Sequence, residues 1–318
     1  MKVLVADKLE KSAIDGLGAL GCEVVMNPDL AGDALAAAIG AENPAVVVVR
    51  STVVDRAAIE ASSSLKVIIR AGAGYNTIDV AAAGEQGVAV ANCPGKNAIA
   101  VAELAFGLML ALDRFIPENV NDLRDGKWNK KGFGKGRGLF GMTLGVIGMG
   151  SIGQEVAVRA RAFGMPVVTY SVNLSDSEAL ELGVTKVSDL KELASRSDIV
   201  SLHTSLNAST KGLITAEFFD AMKPGAFFIN TSRAEVVDQA ALLAACESGK
   251  IRAGLDVFEG EPSTAEGAYS GAMCDARGVY CTHHIGASTE QAQEAVAAEV
   301  VRIVDVFGRS GEVLNRVN

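Results

Sequence analysis

The chain has 318 residues, and at about 150 residues per domain two domains are expected. Hydrophobic residues make up 49% and charged residues 21%, enough apolar side chain for a large core, which excludes wholesale disorder. The 29 basic and 38 acidic residues leave a net charge of −9, which argues against nucleic acid or an anionic membrane as the main partner, since both require clustered positive charge.

Short apolar, β-branched runs alternate with Ala- and Leu-rich segments from the first residues onward. Strands are expected at 2–6, 22–26, 45–50, 65–70 and 88–91, each bounded by Gly, Pro, Asn or Asp. Helical stretches, for example 31–39 and 55–61, lie between them. Strand–helix–strand alternation with short connections implies a parallel, doubly wound sheet covered on both faces. A long helix is expected at 97–112, whose apolar run is broken by Glu103 and is too short to cross a bilayer. The stretch 113–142 is richer in charge and glycine and holds the single tryptophan, Trp128; it is expected to be an arm, a partner contact or a lid.

A second alternating series follows, with strands expected at 143–147, 166–170, 198–202, 226–230, 252–256 and 279–281. The last helix is expected to open in a capping-box pattern at Ser288-Thr289-Glu290-Gln291. Ala292, Val296, Val300, Ile303 and Phe307 then give one apolar face that could pack back on the first domain. The N-terminus turns charged after five residues, so no signal peptide is expected. The five cysteines are scattered without a C-x-x-C and read as reduced thiols of a cytoplasmic protein. Cys274, Cys281, His283 and His284 lack zinc-site spacing, and no metal is expected.

The sharpest chemical signal is Gly148-Met149-Gly150-Ser151-Ile152-Gly153, a G-x-G-x-x-G between an expected strand and an expected helix. Gly148 suits the tight turn, Gly150 the approach of a pyrophosphate to the backbone, and Gly153 close packing of helix on strand. About twenty positions on, where an acidic residue would bind the ribose 2′-OH, stands Ser171. A hydroxyl does not repel a 2′-phosphate, yet no arginine lies in 171–177 to attract one. NAD is therefore the expected cofactor, by a smaller margin than an aspartate would give, with NADP possible.

Three later motifs, Asn230-Thr231-Ser232-Arg233, Asp256 through Glu261-Pro262, and His283-His284-Ile285-Gly286, join the glycine fingerprint. Together they resemble the NAD-dependent D-2-hydroxyacid dehydrogenases. Arg70-Ala71-Gly72-Ala73-Gly74 is similar to that family's substrate loop, and the stretch from Asn97 to Leu104 to its hinge helix. Val49-Arg50-Ser51, Asp125-Gly126-Lys127-Trp128 and Gly286-Ala287-Ser288-Thr289 place the likeness nearest the branch acting on D-3-phosphoglycerate, in its short form without a C-terminal regulatory domain.

The resemblance implies two doubly wound α/β domains, a flavodoxin-like substrate domain (1–93 plus 285–318) and a Rossmann cofactor domain (94–284), with the active site in the cleft and a homodimer formed through the cofactor domain and the 113–142 arm. It implies Arg233 as the anchor of the substrate carboxylate, His284 as the acid–base group and Glu261 as its partner. His283 stands where the family usually has proline. It places the Ala73 and Gly74 N–H groups and Asn97 at the substrate. Ser151, Ile152, Thr204, Thr231, Asp256 and Gly286 fall at the cofactor. Arg50 and Arg70, each ending an expected strand, are candidates for a substrate phosphate. The implied reaction is reversible oxidation of D-3-phosphoglycerate with NAD, the opening step of serine synthesis. The alternatives are a glyoxylate or hydroxypyruvate reductase and, in another class, a dinucleotide-sensing binding protein.

Overall fold

In the computed structural model, which describes residues 1–262 and 266–318, the chain divides into two compact units. One comprises Met1–Asn97 and Ser288–Asn318, the other Ala98–Ala287. The crossings thus fall at 97/98 and 287/288, later than the expected 93/94 and 284/285, for local reasons. The Cys93 N–H donates to Gly72 O at 2.9 Å and Lys96 pairs with Glu299 at 3.1 Å, which holds that stretch in the first unit. The Ile285 and Gly286 N–H groups both donate to Asp256, at 2.9 and 2.7 Å, which holds them in the second.

The first unit runs β1 (Lys2–Val5), α1 (Lys11–Ala19), β2 (Glu23–Met26), α2 (Asp33–Glu42), β3 (Val46–Val49), α3 (Arg56–Glu60), β4 (Val67–Arg70), α4 (Val80–Glu85) and β5 (Ala89–Asn92). Its sheet has the order β2-β1-β3-β4-β5, parallel throughout, the flavodoxin-like arrangement. Side chains alternate across it as strand geometry requires. Leu4, Val47, Val49 and Ile68 enter one core layer with Leu35 and Ile39, while Val3, Val5, Val48 and Ile69 enter the other with Leu17, Val300 and Ile303.

The second unit runs α5 (Ala98–Arg114), α6 (Ile116–Arg124), α7 (Lys130–Phe133), β6 (Leu144–Ile147), α8 (Ser151–Ala162), β7 (Val167–Tyr170), α9 (Asp176–Leu182), β8 (Thr185–Lys186), α10 (Leu190–Arg196), β9 (Ile199–Leu202), α11 (Ala216–Ala221), β10 (Ala226–Asn230), α12 (Gln239–Glu247), β11 (Ile251–Leu255) and β12 (Val279–Cys281). Its seven parallel strands are ordered β12-β11-β10-β9-β6-β7-β8. The order reverses between β6 and β9, so their carboxyl ends open the crevice where such sheets bind ligands.

The 113–142 arm is not a bare loop, since it carries α6 and α7. Arg252 straps it to the sheet. Its guanidinium lies 4.5 Å from the Phe115 ring centroid and 5.2 Å from that of Tyr280, and it donates to the Tyr280 hydroxyl, which in turn donates to Glu118. The terminal helix, α13 (Glu290–Ser310), packs on α1 of the first unit. It starts one residue later than expected: Thr289 caps it, accepting from Ala292 N–H at 3.2 Å, and alanine at that place has no side chain to close the box. A reciprocal capping box stands instead at Ser175 and Glu178, at the start of α9.

Candidate active site

Gly148 follows β6 at φ +91°, in the region open to glycine. A Cβ there would stand 2.8 Å from His203 O, and one at Gly153 2.1 Å from Gly148 O, so strand, turn and helix close on each other only as glycines. Gly150 caps α8 without a side chain, and a Cβ on it would meet nothing. The N–H groups of Ser151 and Ile152 are therefore left at an uncapped helix N-terminus, where a phosphate binds well. This turn fits a dinucleotide pyrophosphate.

Beside it lies a cavity of about 900 Å³, into whose wall the second unit brings Gly148, Gly150, Ser171 and Thr204. Two acidic side chains of α9, Glu178 and Glu181, line it as well. Sequence reasoning passed them over because they lie beyond the strand end where the fingerprint puts its carboxylate. The capping pattern Ser175-x-x-Glu178 was the signal that would have placed them on a helix. His203, also in the wall, is buried and bonded to Ser201 Oγ at 2.7 Å, and burial pushes its pKa down to about 3. It is a neutral wall group.

The catalytic candidates of this unit sit on loops after β10, β11 and β12. Asn230, the last residue of β10, accepts from Ser232 N–H and Oγ at 2.9 Å and donates to Arg233 O at 3.0 Å, fixing the turn that presents Arg233. Thr231 Oγ1 is buried there without a hydrogen-bond partner among the described residues. Asp256, after β11, is buried and accepts three bonds from the next loop: Thr282 Oγ1 at 2.6 Å and the two N–H groups of Ile285 and Gly286. Its carboxylate is thereby committed to holding the loop that bears His284.

That loop puts His284 at φ +52° and its Nδ1 2.8 Å from Glu261 Oε2, while Glu261 Oε1 accepts the Phe258 N–H at 2.7 Å. The hydrogen bond to Glu261 raises the His284 pKa, burial works against it, and the charges of Glu261 and Asp256 add to the rise. Arg233 opposes it electrostatically. Arg233, Glu261 and His284 are thus brought together, and the neighbouring His283 and His284 are both exposed.

In the first unit, Arg50 follows β3 and Arg70 ends β4, adjacent strands of the sheet. Asp7 clamps the Arg50 loop, accepting from the N–H groups of Arg50, Ser51 and Thr52 at 2.6–3.1 Å. Gly72, at φ +145°, lies so close to the Arg70 guanidinium that a Cβ would stand 1.6 Å from Nη1. The Gly72 and Ala73 carbonyls accept from Cys93 N–H and Asn92 Nδ2, and among the described residues nothing accepts from the N–H of Ala73 or Gly74. Asn97 Oδ1 is buried without a hydrogen-bond partner among the described residues.

A Rossmann-ordered sheet, a glycine turn fitted to pyrophosphate, and an arginine beside a carboxylate–imidazole pair define a dinucleotide-binding protein equipped for acid–base chemistry. Residues 106–286 match the family model of the D-isomer specific 2-hydroxyacid dehydrogenase NAD binding domain, and the chain belongs to that family. It is 42% identical to a D-3-phosphoglycerate dehydrogenase of Methanocaldococcus jannaschii across 100% of this chain but only 59% of that protein, so it spans little more than half the relative's length. It is 47% identical to a hydroxypyruvate reductase of Thermotoga maritima over 80% of this chain and 82% of that one. Among solved structures it is similar to a glyoxylate reductase of Paecilomyes thermophila (TM-score 0.88, 32% identity, 100% and 98% coverage). It is also similar to an NAD+-bound 3-phosphoglycerate dehydrogenase of Entamoeba histolytica (TM-score 0.82, 28% identity, 100% and 98% coverage). Among the described residues no helix is long and apolar enough to cross a membrane.

Proposed function

We propose that the chain is an NAD-dependent dehydrogenase that interconverts D-3-phosphoglycerate and 3-phosphohydroxypyruvate, and that it works in the cytoplasm as a homodimer at the opening of serine synthesis. The observation that carries the chemistry is the 2.8 Å His284–Glu261 pair, coupled in charge to Arg233. NAD, when bound, supplies the hydride acceptor or donor. Gly148, Gly150 and the N–H groups of Ser151 and Ile152 hold its pyrophosphate; Ser171 and Thr204 flank it in the cavity wall. Thr231, with its unpartnered hydroxyl, serves the nicotinamide end, while Asp256 and Gly286 support that end by fixing the histidine loop.

Arg233 grips the substrate carboxylate with its fork of donors and polarises the keto oxygen. His284, held by Glu261 through Nδ1, uses Nε2 to take the hydroxyl proton in oxidation and to return it in reduction. Ala73 and Gly74 offer open N–H groups to the carboxylate, and Asn97 offers its buried amide oxygen as an acceptor to the substrate hydroxyl. Arg50 and Arg70 supply positive charge for a phosphate.

The identity to the Thermotoga maritima relative favours a second reading, a hydroxypyruvate or glyoxylate reductase. Steady-state rates on phosphohydroxypyruvate, hydroxypyruvate and glyoxylate, each with NADH and with NADPH, separate the two. The phosphate reading expects the highest kcat/KM on phosphohydroxypyruvate. It further expects Arg50→Ala to raise KM for that substrate while leaving hydroxypyruvate nearly untouched, as loss of a contact kept in ground and transition state requires. Equal losses on both substrates overturn it.

A further inference from the structure

The cofactor cavity carries a feature that the fingerprint at its mouth does not contain. Just after β7, at the position where a carboxylate would select the unphosphorylated ribose, stands neutral Ser171. The same cavity nevertheless has acidic walls, because α9 turns Glu178 and Glu181 into it, three positions apart and so on one helix face. Among the described residues no lysine or arginine lines it. Lys186, on β8, spends its ammonium on Leu174 O at 2.6 Å and Asp176 at 3.2 Å.

Glu178 is also fixed in place. Its Oε2 accepts both the N–H and the hydroxyl of Ser175, at 2.7 and 2.6 Å, in the box that starts the helix. These bonds favour the ionised form and lower its pKa, so the charge is present throughout the physiological range. We infer that Glu178 and Glu181 take over the selection of NAD against NADP in this chain, by repelling the 2′-phosphate from the helix side of the cavity rather than by binding the 2′-OH from the strand end. The inference rests on the proposed cofactor site. It implies a wider margin for NAD than Ser171 alone would give, since two carboxylates line the cavity.

The carboxylates are solvent-facing, so their effect is a screened repulsion. Against a doubly charged phosphate bound in the cavity, each is worth on the order of several-fold in affinity. The test is direct titration of NADH and NADPH, followed by cofactor fluorescence without substrate, on the parent and three variants. Glu178→Gln keeps the capping box, which glutamine also closes, and removes only the charge; Glu181→Gln does the same at the neighbouring position, and the third variant combines them.

The expected result is a parent that binds NADH well ahead of NADPH, with a gap that narrows as salt is added. Each variant tightens NADPH several-fold, the double variant on the order of tenfold or more, and NADH stays within about twofold. A fourth variant, Glu181→Arg, is expected to go further and favour NADPH. Normal NADH binding with an unmoved NADPH affinity in all variants overturns the inference and leaves the cofactor site standing. A parent that binds neither dinucleotide overturns the site itself.

Discussion

His284 sits at φ +52°, in the left-handed region that a residue with a Cβ enters only at a cost of roughly 1–2 kcal/mol. Asp256 holds it there through the bonds to Thr282, Ile285 and Gly286, and the return is an imidazole whose Nδ1 meets Glu261. His284→Ala is expected to lower turnover by on the order of 10²–10⁴-fold with cofactor affinity nearly unchanged. His283→Ala leaves the His284–Glu261 pair in place and is expected to cost far less, and the opposite ranking would move the acid–base role to His283. Reduction needs the protonated ring, so its rate falls as pH rises through the raised His284 pKa. Glu261→Gln removes the largest cause of that rise, and the fall in rate is expected at lower pH than in the parent. An unshifted profile for reduction removes Glu261 from the mechanism. Arg233, Glu261 and His284 were legible as motifs with a fixed order. The role of Asp256 was not, because a carboxylate that bonds backbone N–H groups of a later loop leaves no spacing rule in the sequence.

The elements themselves were legible where one physical rule governed them. Four-residue runs such as Val46–Val49 are buried on both faces, so composition alone marked them as strands of a covered parallel sheet. The two-residue β8 escaped notice, since two exposed residues at a sheet edge carry no pattern. The terminal helix was readable from its apolar face, yet one of its strongest anchors is polar. Glu299 is buried, with Arg302 and Asn315 donating to it at 2.5–3.0 Å and Lys96 at 3.1 Å. The Arg302 hydrogen bonds are the main reason its pKa falls to about 2, against the pull of burial. A carboxylate depressed in this way stabilises the fold above its unfolded-state pKa, and that stability is lost as pH falls through the folded one. The displacement from 4.5 to about 2 corresponds to about 3 kcal/mol at most. Glu299→Gln is expected to lower Tm at pH 7 and to flatten the loss of stability between about pH 4.5 and 2. A parent whose acid unfolding is unchanged by this substitution would show that the anchor is not ionic.

At the scale of the whole molecule, the chain passes between its units twice, and the second passage returns α13 to the first. Several large apolar side chains left exposed lie together in sequence on the 113–142 arm. Leu123 and Trp128, 60% and 81% exposed, line with Phe133 a hollow of about 470 Å³, and Phe140 is 86% exposed. Apolar surface of this kind marks an interaction site more often than a solvated loop. Under the proposed homodimer it would meet its own copy across a two-fold axis. The single tryptophan makes the test internal, because Trp128 is the only indole in the chain and lines that hollow. Sedimentation is expected to give a particle of twice 32.8 kDa, and dilution through the dissociation range is expected to shift Trp128 emission to the red and open it to iodide quenching. Leu123→Asp, which buries a charge in the proposed contact, is expected to yield monomers whose tryptophan is quenchable at every concentration. Dimers in which Trp128 stays fully quenchable would place the interface elsewhere, and the strap formed by Arg252, Tyr280 and Glu118 would then serve only to fold the arm onto its own sheet.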